Sequence, residues 1–246
     1  MDRKREGHWL APAEYGQEVA YEAVRHAVVP LLRRAMVWID ATGSEHVPEA
    51  GPALLVSNHR SLLDPWLIAL SLERHVHFVA DSWLGHVAFS RLLRAAGVIF
   101  LPSEAHRSHS LIAQGARALA DGEVLGIFPE GMDNFTRDTP PRTVGAFHSA
   151  FARLWWEVRD LEVPIVPVAV VGSQRERRVQ VPAALVRALD RGSSHVASPS
   201  VAAVFYESAR VRFGPPLELP RFAHASDAIE RIVAMSREAV TALVTE

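Results

Sequence analysis

From Ala53 onward the chain alternates short β-branched apolar runs with longer stretches of helical periodicity, and this alternation constrains the fold more than any other feature. The runs Ala53–Ser57, His77–Ala80, Val98–Leu101, Val124–Phe128 and Ile165–Val171 are too short and too β-branched for buried helices, so they read as strands. Between them Pro65–Glu73, Trp83–Ala96, Ser108–Asp121 and Val144–Val158 carry helical spacing. Strand and helix in turn predict an α/β fold with a mostly parallel central sheet flanked by helices. Val201–Tyr206 and Arg210–Phe213 read as two further strands. A closing helix starts near Ser226 or Asp227 and places Ile229, Ile232, Val233, Val240, Leu243 and Val244 on one face. Arg191–Ser200, with Gly192 and Pro199, reads as a polar loop.

With 246 residues, 49% of them apolar, the chain suits one core with a small appendage better than two equal domains. The expected division is an N-terminal helical segment over 1–42 and an α/β domain over 43–246. Val24, Val28, Leu31, Ala35 and Ile39 recur at helical spacing and predict an amphipathic helix bent near Pro30, docked on the body or lying on a membrane surface. Ala27–Ile39 is shorter than the roughly 20 residues of a spanning helix and contains Arg33 and Arg34. Met1–Gly16 lacks the apolar core of a secretory signal, which points to a cytoplasmic protein.

A net charge of −2, from 26 basic and 28 acidic side chains, lacks the footprint of a dedicated nucleic-acid binder. Without cysteine there is no disulfide framework, no thiolate nucleophile and no Cys-ligated zinc. Among the 12 histidines, His75 with His77 and His106 with His109 are close in sequence, but neither pair belongs to an HExxH pattern, and no metal is expected. The sequence also has no GxGxxG, GxxxxGK or GxSxG, which argues against dinucleotide, phosphate-loop and serine-hydrolase sites.

In an open parallel sheet, ligands bind beyond the carboxyl ends of the strands. The first such end runs into Ser57, Asn58, His59, Arg60, Ser61, Leu62, Leu63, Asp64 and Pro65. On a continuous helix His59 and Asp64 would stand about 140° apart and could not meet. If Asp64 caps a helix that opens with Pro65, the intervening turn can return the carboxylate to the imidazole. Such a pair can take a proton from an alcohol; the plainer alternative is a helix cap and a polar loop histidine. At another strand end, Pro129 stops the strand, Gly131 permits a tight turn, and Glu130 is either a group that orients an acceptor hydroxyl or a solvated turn residue.

The blocks SNHRSLLDP (Ser57–Pro65), GVIFLP (Gly97–Pro102), FPEG (Phe128–Gly131) and VPIVPVAV (Val163–Val170) stand in order on successive strands. Together they resemble the motifs of the glycerolipid acyltransferase family that includes the 1-acyl-glycerol-3-phosphate acyltransferases, over roughly residues 43–217. The resemblance implies an O-acyltransferase that moves a fatty acyl group from an acyl-CoA or acyl-ACP thioester to a lipid hydroxyl, such as that of lysophosphatidate or a related glycerolipid. His59 and Asp64 would be the catalytic pair, and Asn58, Arg60, Ser61, Ser103, Phe128, Pro129, Glu130 and Gly131 would line the substrates. No resident cofactor is implied, since the thioester is a co-substrate. The implied partners are the donor, an acyl carrier protein in one case, and a lipid acceptor met peripherally on the inner face of the cell membrane.

Three positions depart from the family pattern. Ser103 stands where the second motif usually has a phosphate-binding arginine, Asp133 where the third usually has another, and Asp81 at a place often basic. A phosphomonoester needs charge-assisted donors, so these changes weaken the case for lysophosphatidate and admit a less anionic acceptor, such as a glycolipid, a neutral alcohol or a lysophospholipid whose phosphate lies farther from the reacting hydroxyl. Arg107, Arg137 and Arg142 lie close enough in sequence to restore a phosphate site. Arg175, Arg177 and Arg178 read as a solvated loop, or as a contact for acidic headgroups or the phosphates of coenzyme A. Trp155 and Trp156 divide between core and bilayer interface. Two other readings of the same residues are a thioesterase, in which water replaces the alcohol, and a lipid-binding scaffold without turnover.

Overall fold

The computed structural model describes residues 19, 22–23, 26, 38–81, 90–95, 97–102, 106–131, 140, 142–172, 176–182 and 200–246. Its elements, in chain order, are β1 (Trp38–Thr42), β2 (Ala53–Ser57), α1 (Asp64–Leu70), β3 (Val76–Asp81), α2 (Ser90–Ala95), β4 (Ile99–Leu101), α3 (Arg107–Ala120), β5 (Val124–Ile127), α4 (Ala150–Glu157), β6 (Ile165–Gly172), β7 (Glu176–Pro182), β8 (Ser200–Tyr206), β9 (Ser208–Phe213) and α5 (Ala225–Thr245).

Seven strands form the main sheet in the order β1-β9-β6-β2-β5-β3-β4. The five from β6 to β4 run parallel, as the strand–helix alternation requires. β9 turns against β6 and takes β1 as its own parallel partner, so the sheet is mostly parallel with one reversed pair. Every residue of β2 is buried, which is why its sequence is a continuous apolar run rather than an alternation. Ala53 and Leu55 face a cluster that includes Leu67 and Ile68 of α1 with Val204 and Tyr206 of β8. Leu54 and Val56 face the other side, among Leu119 of α3, Phe151 and Leu154 of α4, and Ile232 and Val240 of α5. The sheet is thus covered on both faces, and its strand ends are the places left for chemistry.

The structure departs from the sequence reading at several places, and some of that reading lies outside the described residues. Ile39 lies in β1, paired with Ala209, so the N-terminal helical stripe does not reach it and 38–42 belong to the main sheet. Val24, Val28, Leu31 and Ala35 lie outside the described residues, although Val19, Glu22, Ala23 and His26 are helical. Val144–Ser149 is extended loop and α4 begins at Ala150, because the backbone at Gly145 and His148 is bonded to Glu130 and Pro129 instead of to a helical turn. Arg177 and Arg178 are in β7, in register with Phe205 and Val204 of β8, and not in a loop. Most of Arg191–Ser200 lies outside the described residues, with Ser200 opening β8. Among the described residues no helix is long and apolar enough to cross a membrane.

Candidate active site

β2 and β5 are parallel neighbours, and Val56 is in register with Ile127. His59 and Glu130 each follow three residues later, so the sheet delivers both to the same carboxyl-terminal edge. Leaving β2, the chain is held in line by Asn58. Its side-chain amide donates to Val170 O at 2.9 Å and accepts from Val170 N–H at 2.8 Å, extending the contact with β6 past the last strand residue.

The chain then folds back on itself. Asp64 is the first residue of α1, with Pro65 next and Leu63 as the cap, so its carboxylate does not cap the helix. It reaches backward instead. Asp64 Oδ2 accepts the backbone N–H of Arg60 at 2.7 Å and of Ser61 at 2.8 Å, and lies 3.0 Å from His59 Nδ1. Three donors thus converge on one oxygen of a fully buried carboxylate, while Oδ1 has no hydrogen-bond partner among the described residues. With Asp64 ionised, Nδ1 carries the proton and donates it, which fixes both the tautomer and the ring orientation. Nε2, on the far side of the ring, is the position from which a hydroxyl proton can be accepted.

Two further supports hold His59. Its N–H donates to Glu130 Oε2 at 2.6 Å, and its ring stacks on Phe128 at 4.2 Å between centroids, with an interplanar angle of 22°. Phe128 in turn stacks on Phe78 of β3 at 5.8 Å. Phe78 has room because residue 126 is glycine: a Cβ there would come within 2.5 Å of the Phe78 ring. Glu130 is fully buried, so it is not the solvated turn residue. Its second oxygen accepts the N–H of Gly145, and the carboxylate joins the end of β2 to the loop before α4.

The other expected substrate contacts divide. Asn58 is committed to β6, and Ser61 Oγ donates to Val204 O at 2.6 Å while accepting Leu63 N–H. Both are buried, and these bonds shape the turn. Arg60, also buried, donates from Nη1 to Pro140 O at 2.8 Å. Pro129 O accepts His148 N–H. Gly131 has φ of +59°, a conformation a side chain would strain, and keeps the turn slim beside the site. Ser103, Asp133, Arg137 and Arg175 lie outside the described residues, as do the side chains of Asp81, Arg177 and Arg178. Arg142 is exposed, with a positive φ of 61°. Trp155 donates Nε1–H to Val163 O, and the Arg159 guanidinium lies over the Trp156 ring. The sequence reading missed Phe78, Gly126 and Gly145. Only Gly126, a glycine inside an apolar strand, left a signal of close packing.

A histidine oriented by a buried carboxylate at a strand end is an arrangement for proton transfer to or from a bound group. This chain is also similar to known proteins. A 31% identity over 150 residues, 57% of this chain and 49% of the other, relates it to 1-acyl-sn-glycerol-3-phosphate acyltransferase alpha of Ovis aries. A match of 29% over 107 residues, 43% of each chain, is to the 1-acyl-sn-glycerol-3-phosphate acyltransferase of Borreliella burgdorferi. The chain spans about half the length of the curated relatives it matches. In fold it is similar to the crystal structure of the 1-acyl-sn-glycerophosphate (LPA) acyltransferase PlsC from Thermotoga maritima. The TM-score is 0.62 over 96% of this chain and 85% of that one, at 15% identity. The family model described as Acyltransferase matches residues 39–171, from β1 through β6, and so takes in β2 and β5, whose ends carry His59 and Glu130: the chain belongs to the acyltransferase family.

Proposed function

We propose that this protein is an O-acyltransferase of the 1-acylglycerol-3-phosphate acyltransferase type, carrying a fatty acyl group from an acyl-CoA or acyl-ACP thioester to a lipid hydroxyl. The observation that carries the reading is the 3.0 Å contact between His59 Nδ1 and the fully buried Asp64 carboxylate, at the carboxyl end of β2. In the reaction, His59 Nε2 takes the proton of the acceptor hydroxyl as its oxygen attacks the thioester carbonyl. Asp64 balances the imidazolium charge. The tetrahedral intermediate collapses by breaking the C–S bond, and the imidazolium proton passes to the departing sulfur. An ester and a thiol leave the site. No acyl-enzyme is needed, in keeping with a chain that has no cysteine.

The acceptor is a glycerolipid of the lysophosphatidate class. The alternative is a glycolipid or other non-phosphate alcohol, favoured by serine and aspartate at positions 103 and 133. The protein meets its acceptor at the cytoplasmic membrane surface through the N-terminal segment. Incubation of the purified protein with acyl-CoA or acyl-ACP and a panel of lysophosphatidate, lysophospholipid and glycolipid acceptors tests this reading. Acceptor-dependent release of thiol, with the newly acylated lipid identified by mass spectrometry, is the expected result. Fatty acid released at the same rate with or without acceptor would make the protein a thioesterase, and binding without turnover would make it a scaffold. Deleting residues 1–37, which spares β1, should reduce co-sedimentation with anionic vesicles.

A further inference from the structure

We infer that Arg237, on the closing helix α5, is a positioning residue for His59, acting through the loop before α4. The inference rests on the acyltransferase reading only for its kinetic consequence. Arg237 Nε donates to Gly145 O at 2.7 Å, and one of its terminal nitrogens donates to Val144 O at 3.3 Å. The N–H of Gly145 donates to Glu130 Oε1, and the other oxygen of Glu130 accepts the N–H of His59.

The carbonyl of Val144 and the N–H of Gly145 belong to one peptide unit. That unit lies between a guanidinium and a carboxylate, with its C=O toward the cation and its N–H toward the anion. Each charge therefore strengthens the bond the other makes, because hydrogen bonds in series polarise one another. The segment needs such ties because it has no ladder of its own. Val144–Ser149 is neither helix nor strand, and its other anchors are the buried side chains of Val144 and Phe147 and the bond from His148 N–H to Pro129 O. Without Arg237 the loop keeps its apolar anchors but loses the bond to Val144 O, which orients the Val144–Gly145 peptide toward Glu130, and the shorter bond to Gly145 O, which holds the next peptide. A small rotation of that peptide releases Glu130 Oε1, and Glu130 is the group that holds the His59 backbone. Misplacement of a general base by a fraction of an ångström is enough to slow its reaction.

Arginine is the residue suited to this place, since its planar fork reaches two carbonyls at once, whereas a lysine at 237 offers one point of charge. The helix also provides comparison positions. Arg231 is an exposed cation on α5, and Val240 is fully buried there. Arg231→Gln controls for lost charge, and Val240→Ala controls for lost stability.

The test follows the Nδ1–H proton of His59 by NMR of the full chain labelled with ¹⁵N-histidine, the signal being assigned by its absence in His59→Ala. It needs no substrate. In Arg237→Gln the signal should move upfield or broaden by exchange; in Arg237→Lys it should lie between that and wild type; in Arg231→Gln and Val240→Ala it should stay in place. In parallel, kcat for acyl transfer should fall about 10-fold in Arg237→Gln, with KM for the thioester within about twofold, as expected when orientation rather than binding is lost. A His59 signal unmoved in folded Arg237→Gln would overturn the inference. If that variant does not fold, Arg237→Lys decides, and a wild-type spectrum and rate there would overturn it equally. If the wild-type protein transfers no acyl group, the acyltransferase reading fails while the NMR result still decides the role of Arg237.

Discussion

Among the described residues the sheet carries two histidine–carboxylate pairs, one at each end. At the carboxyl end His59 Nδ1 lies 3.0 Å from Asp64; at the amino end His77 Nε2 lies 3.5 Å from Glu123. The two imidazoles are similarly covered, at 13% and 11% side-chain exposure, yet Asp64 is fully buried and Glu123 is 40% exposed. His77 donates Nδ1–H to Gly97 O and stacks on His75, so its ring joins β3 to the turn before β4. Gly97, at φ of +82°, brings that turn so close that a Cβ would lie 2.6 Å from the His77 ring. Arg74 completes the same corner by bonding Pro48 O and Gly122 O. A histidine beside a carboxylate is therefore not in itself a site. What separates the two is that the His59 turn stands where parallel strands open outward, and that every described bond around it orients the ring.

Exchanging the two pairs in experiment should give the largest contrast. His59→Ala should lower kcat by roughly 10³-fold or more, as loss of a positioned base does, whereas His77→Ala should leave it within about twofold. Steady-state rates on proteins matched for folding by circular dichroism check this, and equal losses in the two variants would erase the distinction.

A smaller effect should come from the Phe128–Phe78 stack that backs His59. Gly126→Ala places a methyl group against the buried Phe78 ring and should cost about 1–3 kcal/mol, as overpacking does. It should also lower kcat by several-fold, because Phe78 supports Phe128. Denaturant unfolding together with kcat measures both, and a variant with wild-type stability and rate would show that the stack does not constrain the ring.

The smallest effect concerns pH and belongs to the structural pair. The hydrogen bond with His77 holds the Glu123 carboxyl below the usual carboxylate range, helped by the charges of His77, His75 and Arg74 and opposed by burial. A carboxyl whose pKa is depressed on folding contributes stability that is complete above its unfolded pKa, near 4.5, and is lost as pH falls through the lower folded value. Glu123→Gln should therefore lower the melting temperature slightly at pH 6 and bring it toward wild type as the pH drops below about 4. A difference that stays constant with pH would remove the ion pair from the account.

Much of this was legible in the chain because strand interiors and motif turns are written locally. β2 and β6 are buried on both faces, so their apolar runs mark them directly. The bend that returns Asp64 to His59 follows from five residues of one turn. Relations between distant segments were not legible. Glu130 reads in sequence as an acceptor-orienting group or a turn residue, because nothing near it shows that its two oxygens meet His59 and Gly145. Val144–Ser149 looked helical for the same reason, since the bonds that hold it extended come from Glu130 and Pro129. Ile39 fitted a helical stripe, and its place in β1 is set by β9, far along the chain. The edge of the basic run at Arg177 and Arg178 gave no hint of β8 as its partner.

The most direct test compares wild type with Asp64→Asn for acceptor-dependent release of thiol from an acyl thioester. The amide keeps the size of the carboxylate and can still accept the N–H groups of Arg60 and Ser61, but it removes the charge that stabilises the His59 imidazolium. The account predicts a folded variant whose rate falls by about 10³- to 10⁴-fold. A folded Asp64→Asn protein that releases thiol at the wild-type rate would contradict it.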